Sequence, residues 1–275
     1  MHTVAIITNR KKDIDSLVTN KCIDILKDKF NLVFSDGTDK ESLNALLADC
    51  FSAIVIGGDG TILLAASALA NAGVPILGIN MGHMGFLADV ELSELEKALA
   101  DFADGNYNIE ERFMIEAMVN ADKKEKTSPL TALNDLVISR ASYTRMIALD
   151  VLVDGHFVTS YVGDGVVVAT PTGSTAYSLS AGGPVVDSSL DVCIITPVCP
   201  HTLSSKPLIV PGSSKITIRF HDNFDDISML TSDGQRSVKV ADGDEIIIKA
   251  SPLKTRLIKV SNRGFYEIFN KKLQD

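Results

Sequence analysis

Through the first hundred residues, hydrophobic and polar positions alternate between short solid apolar runs and stripes spaced three and four apart, the pattern of a parallel sheet flanked by helices. Thr3 to Thr8 reads as a first strand. Ile14, Leu17, Val18, Ile25 and Leu26 share one helical face and predict an amphipathic helix ahead of a strand over Asn31 to Ser35. Thr38 with Glu41 three residues on is a capping-box signal for a second helix carrying Leu43, Leu46 and Leu47. The apolar run Ala53-Ile54-Val55-Ile56 then feeds a cluster of glycines, and a helical run follows from Ile62 to Ala72. Val74 to Ile79 is a further strand, Asn80 to Leu87 a glycine-punctuated loop that includes His83 and Met84. Ser93 with Glu96 predicts another capped helix with Leu95, Leu99 and Phe102 on one face.

Near residue 110 the period changes to two. Lys215 to Phe220 alternates polar and apolar, and Asp154-Gly155, Asp164-Gly165, Asp233-Gly234 and Asp242-Gly243 mark turns beside strand-like runs. Lys123-Lys124-Glu125-Lys126 reads as a solvated hairpin tip. The expected organisation is an α/β domain over 1–110 and a β-rich domain over 111–255. A tail, 256–275, carries Phe265, Ile268, Phe269 and Leu273 and is expected to return to the first domain.

With 275 residues, 45% of them hydrophobic, the chain can bury two modest cores. A formal charge of −9 argues against a broad nucleic-acid or membrane surface, which needs clustered Lys and Arg. A small anion remains compatible, because backbone amides and a metal bind it without a basic surface. Cys22, Cys50, Cys193 and Cys199 form neither a C-x-x-C pair nor a disulfide framework, and the amino-terminal residues lack the regions of a signal peptide. Free thiols in a cytoplasmic setting are expected. The spacing of the five histidines offers no zinc motif, and neither a Walker lysine loop, a G-x-G-x-x-G fingerprint nor a G-x-S-x-G elbow is present.

The candidate chemistry concentrates in three places. Gly57-Gly58-Asp59-Gly60-Thr61 joins a buried strand to a helix start, where bare N–H groups and the helix dipole favour a phosphate. Asp59 among those amides suggests phosphoryl transfer, since a carboxylate there repels phosphate unless it meets a metal or takes a hydroxyl proton. The same residues also suit a plain tight turn with Asp59 as an N-cap. Secondly, Thr172, Ser174 and Thr175 sit in a hydroxyl-rich turn between a strand and a short helix that ends at Gly182-Gly183. Such a turn suits an amide or ribose, or simply caps itself. Thirdly, Asn134-Asp135 precedes the apolar run Leu136 to Ile138 and could pair with neighbouring ribose hydroxyls or form an Asx turn.

Taken in order, Gly57 to Thr61, Asn80-x-Gly82-x-x-Gly85-Phe86-Leu87, Asn134-Asp135, Asp164-Gly165, Thr170-Pro171-Thr172-Gly173-Ser174-Thr175-Ala176-Tyr177-Ser178, Pro200-His201-x-Leu203 and Asp233-Gly234-Gln235 resemble the NAD kinase family. The Thr170 to Ser178 segment is the most specific of these. The resemblance implies a Rossmann-like α/β domain followed by a β-sandwich-like domain, with NAD bound in the crevice between them. It further implies ATP as phosphoryl donor, with Mg²⁺ or another divalent cation carried by ATP and no fixed protein metal site, and a homo-oligomer, a dimer or tetramer, with neither nucleic acid nor membrane as partner.

Carried over by position, Asp59 is the base for the adenosine-side 2′-hydroxyl of NAD and contacts NAD, and Gly57, Gly58, Gly60 and Thr61 form the phosphate turn, with Gly60 also on NAD. Asn134 and Asp135 hold the adenosine portion; Asp164, Thr175, Ala176, Tyr177, Ser178, Leu179 and Ser180 line the rest, with Arg145, Val162 and Gln235 as neighbours. Asp135 stands where glutamate is more frequent, and Leu64 where many relatives carry a polar residue. His201 fits either a ligand contact or a structural role. Free aspartate titrates near about 3.9, far below a ribose hydroxyl, so Asp59 is expected to orient the alcohol and take its proton late in a loose transition state. Two rival readings are a GGDGT-type lipid kinase and a non-catalytic NAD(P) sensor.

Overall fold

The computed structural model describes the chain apart from residues 37–39, 83–84, 121–127, 142–145, 202–204, 221–227, 242 and 275. Thr38, His83, Met84, the Lys123 to Lys126 tip, Arg145, Leu203 and Asp242 therefore lie outside the described residues. Two compact units divide the chain: Met1–Arg112 with Leu253–Asp275, and Phe113–Pro252.

The first unit runs β1 (Thr3–Thr8), α1 (Leu17–Leu26), β2 (Asn31–Ser35), α2 (Lys40–Leu47), β3 (Ser52–Gly57), α3 (Asp59–Ala72), β4 (Ile76–Asn80), β5 (Val90–Glu91), α4 (Leu95–Ala103) and β6 (Asn108–Arg112). Its sheet has the order β2-β1-β3-β4, then the returning strand Thr255–Lys259, then β6; β5 also pairs with β4. β1 to β4 are parallel, and β6 is antiparallel to the returning strand. Solid apolar runs are needed because both faces are covered: Val4, Ile6, Ile54, Ile56, Leu77 and Ile79 are fully buried in one cluster with Leu99 and Phe102 of α4. On α3 the buried stripe is Ile62, Ala65, Ala66, Leu69 and Ala70, a spacing that turns one helix face to the sheet.

Two helix starts differ from the sequence expectation. α1 begins at Leu17, leaving Ile14 in the preceding loop, because the Asp13 carboxylate accepts the N–H groups of Val18 (3.2 Å) and Thr19 (3.0 Å) and the Thr19 hydroxyl (2.6 Å). It caps the helix from outside the apolar stripe. The Ser93/Glu96 capping box does not form. Leu92–Glu94 make a 3₁₀ turn, Glu94 occupies the cap, and no side chain there bonds the helix amides.

The second unit runs β7 (Ile115–Asn120), β8 (Leu130–Ala132), β9 (Asp135–Arg140), β10 (Ile147–Val153), β11 (His156–Gly163), β12 (Gly165–Ala169), α5 (Tyr177–Ser180), β13 (Val192–Val198), β14 (Leu208–Pro211), β15 (Ile216–Phe220), β16 (Ser228–Ser232), β17 (Arg236–Val240) and β18 (Glu245–Ala250). β19 (Thr255–Lys259) and α6 (Phe265–Gln274) then rejoin the first unit. Two antiparallel six-stranded sheets, β11-β10-β15-β18-β7-β8 and β14-β13-β12-β9-β16-β17, share one core. That core mixes Ile115, Ile147, Ile216 and Ile246 of the first sheet with Leu136, Val166, Ile195 and Leu230 of the second, as in a sandwich. The opposite face of the second sheet packs Val137, Val167, Ala169 and Ile194 against Val186, so the segment after β12 covers it. No helix among the described residues is long and apolar enough to cross a membrane.

Candidate active site

In the first unit the sheet order reverses direction between β1 and β3, and the loops after both strands meet there. Gly57 closes β3, and Gly58, at φ 149°, turns the chain into α3, whose first residue is Asp59. The phosphate-type turn is thus tighter than the sequence suggests, with Gly60 and Thr61 already in the first helical turn. Gly60 is exposed, and a Cβ added there meets nothing within 4 Å. Internal packing does not require glycine at that point, and the bare backbone leaves the helix N-terminus open to close approach.

The Asp59 carboxylate is held by backbone. It accepts N–H bonds from Phe86 (2.7 Å), Leu87 (3.0 Å) and Ala88 (3.2 Å), the loop beyond β4. Asp59 keeps partial exposure. A carboxylate offers about four acceptor sites, so one direction stays open for a hydroxyl or a metal-bound water. Phe86 is itself fixed by the chain end, with its ring 5.8 Å from that of Phe265 and the Lys272 ammonium 4.5 Å above it. Asn80 ties the start of the same loop, donating to the Gly82 carbonyl (3.1 Å) and accepting the Gly82 N–H (3.2 Å).

One residue beside the turn has no sequence motif. The Lys12 ammonium, from the loop after β1, donates to the Gly57 carbonyl at 3.3 Å. The Arg10-Lys11-Lys12 run directly after a strand that neighbours β3 was the available signal.

In the second unit, Asn134 and Asp135 stand at the head of β9, and a second acid organises them. Asp233, in the turn between β16 and β17, accepts the N–H groups of Leu133 (2.9 Å), Asn134 (2.8 Å) and Asp135 (3.1 Å) and returns its own N–H to the Asp135 carbonyl (2.9 Å). Thr170 locks the other side, donating its N–H to the Asn134 carbonyl (2.8 Å) and its hydroxyl to the Leu133 carbonyl (2.5 Å). Asp135 is 5% exposed. Burial, then the Asp233 charge, pushes its carboxyl up to about 7. Burial also raises Asp233 above the usual carboxylate range, against the pull of its three N–H bonds.

Tyr177 belongs to the same group of residues. Burial first, then the charges of Cys199, Asp164 and Asp135, raise its hydroxyl above its ordinary value. Asp164 is itself paired with Arg140 at 2.9 Å. The hydroxyl-rich turn is more self-contained than its composition suggests. Ser174 donates to the Pro171 carbonyl (2.6 Å) and accepts the Val186 N–H (3.0 Å), and Ser178 is fully buried against the Thr196 hydroxyl (2.9 Å). Thr175 donates to the Thr172 carbonyl at 3.3 Å. Ala176 is partly exposed, while Tyr177, Leu179 and Ser180 face outward, as do Val162 and Gln235. His201 donates its backbone N–H to the Val162 carbonyl (2.8 Å), which gives that turn a structural link.

A glycine turn with a fixed carboxylate on a doubly wound sheet, joined in one chain to a β-sandwich in which Asp233 holds the buried Asp135, defines a two-unit nucleotide-type phosphotransferase scaffold. Residues 38–107 match the family model "ATP-NAD kinase N-terminal domain" and residues 133–260 the "ATP-NAD kinase C-terminal domain". The chain belongs to the ATP-NAD kinase family. An NAD kinase of Natranaerobius thermophilus is 40% identical over 282 residues, covering 99% of this chain and 98% of the relative. An NAD kinase of Clostridium botulinum is 42% identical over 280 residues, 99% of this chain and 96% of the relative. Among solved structures, yeast NADH kinase complexed with NADH superposes with a TM-score of 0.86 at 25% identity, over 100% of this chain and 88% of the other. An NAD kinase from Archaeoglobus fulgidus in complex with ATP gives 0.80 at 26% identity, over 99% of both.

Proposed function

We propose that this chain is an NAD kinase that transfers the γ-phosphate of ATP to the 2′-hydroxyl on the adenosine side of NAD, giving NADP and ADP. The observation that carries the reading is the match of both halves of the chain to the two NAD kinase family models. The lipid-kinase and sensor readings gain no support from these matches.

In this reading the glycine turn and Lys12 receive donor phosphates, and Asp59 orients the 2′-hydroxyl. As the new O–P bond forms and the bond to the β-phosphate oxygen breaks, the hydroxyl proton passes to Asp59 and the electron pair leaves with ADP. The three N–H bonds hold the carboxylate in one orientation, which favours catalysis by positioning, the main requirement of a loose phosphoryl transfer. Asp135, buried and with its backbone held by Asp233, supports a role as acceptor for ribose hydroxyls. Tyr177, Leu179, Ser180, Val162 and Gln235 are outward-facing candidates for the rest of NAD, with Asn134, Asp164, Thr175 and Ala176 beside them. Ser178 acts through its backbone and packing, since its hydroxyl is bonded to Thr196.

The donor set at the turn, one carboxylate with a single open acceptor direction, fits a Mg²⁺ that arrives on nucleotide phosphates and keeps its waters. When bound, that ion would neutralise charge on the transferring phosphoryl group. The four free cysteines, two of them buried, support a reducing, cytoplasmic setting. Incubating the purified chain with ATP, Mg²⁺ and NAD tests the reading: NADP should accumulate, and absence of NADP formation from NAD would refute it.

A further inference from the structure

The carboxyl-terminal helix α6 packs on the loop that grips Asp59, and its contact bears on one oxygen of the carboxylate. Leu87 and Ala88 donate to Oδ1 (3.0 and 3.2 Å), and Phe86 is the donor to Oδ2 (2.7 Å). Two amides on one oxygen fix a point, and the third, on the other oxygen, fixes the angle of the carboxylate about that point. Resting on the reading of the chain as an NAD kinase, we propose that α6 is a positioning element of the transfer site: Phe265 and Lys272 hold the Phe86 ring and, through the Phe86 amide, set the angle at which Asp59 meets the ribose hydroxyl.

The three donors are anchored unequally. Leu87 and Ala88 are 3% and 6% exposed, so the interior of the first unit holds them. Phe86 is half-buried, follows Gly85, and commits its N–H to a carboxylate rather than to a strand or helix. Its backbone stays still only if its side chain is held. The Phe265 ring lies 5.8 Å from the Phe86 ring, and the Lys272 ammonium stands 4.5 Å from the Phe86 ring centre. Phe265 is braced in turn by Phe269, stacked at 6.1 Å one helical turn on, and by Tyr266, edge-on at 5.4 Å.

α6 is itself pinned to the residues just beyond the grip. Lys271 pairs with Glu91 at 2.9 Å, and Arg263 pairs with Glu94 and, at 3.6 Å, with Glu91. Arg263 also donates to the Asp89 carbonyl (3.2 Å), while Lys259 and Ser261 bond the Asp89 carboxylate. The chain end therefore clasps this segment on both its charged and its aromatic side. Ion pairs alone would fasten the chain end. The aromatic cluster and the ammonium bear instead on the side chain whose amide reaches Oδ2.

In the full-length protein, Phe265→Ala should lower kcat for NADP formation about tenfold with KM for ATP and for NAD kept, because the transition state needs the angle and ground-state binding does not. In Asp59→Ala no carboxylate is left to direct, so adding Phe265→Ala should change the residual turnover by less than about twofold. Amide exchange followed by NMR should quicken about tenfold at Phe86 in Phe265→Ala and stay as it was in β1 and β3. Lys272→Met, at an exposed position where folding is not at stake, should repeat the loss of kcat and the faster exchange at about threefold. The proposal is overturned if both variants keep the wild-type kcat, or if Phe265→Ala lowers turnover in Asp59→Ala by the same factor as in wild type. Unchanged exchange at Phe86 overturns it equally. If the unsubstituted chain makes no NADP, the kinase reading falls, while exchange at Phe86 still decides whether α6 holds that amide.

Discussion

The carboxylate of Asp59 lies so close to Gly85 that a Cβ built on the glycine stands 1.9 Å from Asp59 Oδ1. The glycine is therefore part of the carboxylate's seat, which the three N–H groups of residues 86–88 complete. Gly85→Ala must push the loop or the carboxylate away, and a shift of about 1 Å in a positioned group costs on the order of 10²-fold in rate. We expect kcat to fall by about that factor with KM for NAD nearly kept, read from steady-state NADP formation. An unchanged kcat would mean that Asp59 works equally well when displaced.

If Asp135 holds the ribose hydroxyls of NAD, binding should depend on pH. Its carboxyl, raised to about 7 by burial and then by Asp233, is protonated at mildly acidic pH and becomes an acceptor above it. KM for NAD should therefore fall several-fold between about pH 6 and about pH 8, and Asp135→Asn should flatten that profile. Stability moves the other way. Because the folded-state value lies above the unfolded value of about 3.9, the native state holds the extra proton between the two, and stability declines as pH rises from about 4 to 7 and levels beyond. Denaturant titrations of wild type and Asp135→Asn should differ in slope over that window.

Asp89 fastens the returning chain. It is 5% exposed and accepts the N–H groups of Val260 (2.8 Å) and Ser261 (2.9 Å), the Ser261 hydroxyl (2.7 Å) and the Lys259 ammonium (2.5 Å). Burial works to raise its carboxyl, but Lys259 and the hydrogen bonds outweigh it and hold the group below the usual carboxylate range. Asp89→Ala leaves Lys259 without its partner and should destabilise the protein by about 3 kcal/mol, measured by urea unfolding. For a depressed carboxyl, the stabilisation is complete above the unfolded value and is lost as pH falls through the folded one. Asp89→Asn should therefore lower stability near neutral pH and flatten the fall in stability towards acid pH, so that the two proteins converge at the acid end.

Lys12 sits where negative charge would arrive. If its ammonium meets donor phosphates, Lys12→Met should raise KM for ATP about tenfold, a loss of about 1.4 kcal/mol, with NAD affinity unaffected. Added salt should narrow the gap between the two proteins, since the lysine is exposed. Equal KM values at low salt would remove Lys12 from the phosphate site.

Local pattern was sufficient where one face or one run decides the structure. β1 and β2 occupy the residues their apolar runs indicate, and the alternation of Lys215 to Phe220 becomes β15. Pattern misled where a side chain from outside the stripe took over, as Asp13 does in starting α1 at Leu17, and where the 3₁₀ turn at Leu92 displaced the Ser93 box. At the site, the glycines and Asp59 were legible because a turn must be written in consecutive residues. The three amides around Asp59 were not, nor was the hold of Asp233 on residues 133–135, about a hundred positions away in sequence. Ser174 and Ser178 look like ligand donors in sequence, and only packing shows their hydroxyls bonded to Val186 and Thr196. Asp89 carries no spacing signature, since its partners come from the far end of the chain.

The central claim is that Asp59 orients a ribose hydroxyl and receives its proton during phosphoryl transfer. The most direct test is the rate of NADP formation by Asp59→Asn at saturating ATP and NAD, with NAD affinity measured by calorimetry on the same protein. The account predicts a fall in turnover of about 10²- to 10⁴-fold with NAD affinity within a few-fold of wild type. Turnover close to wild type would contradict it.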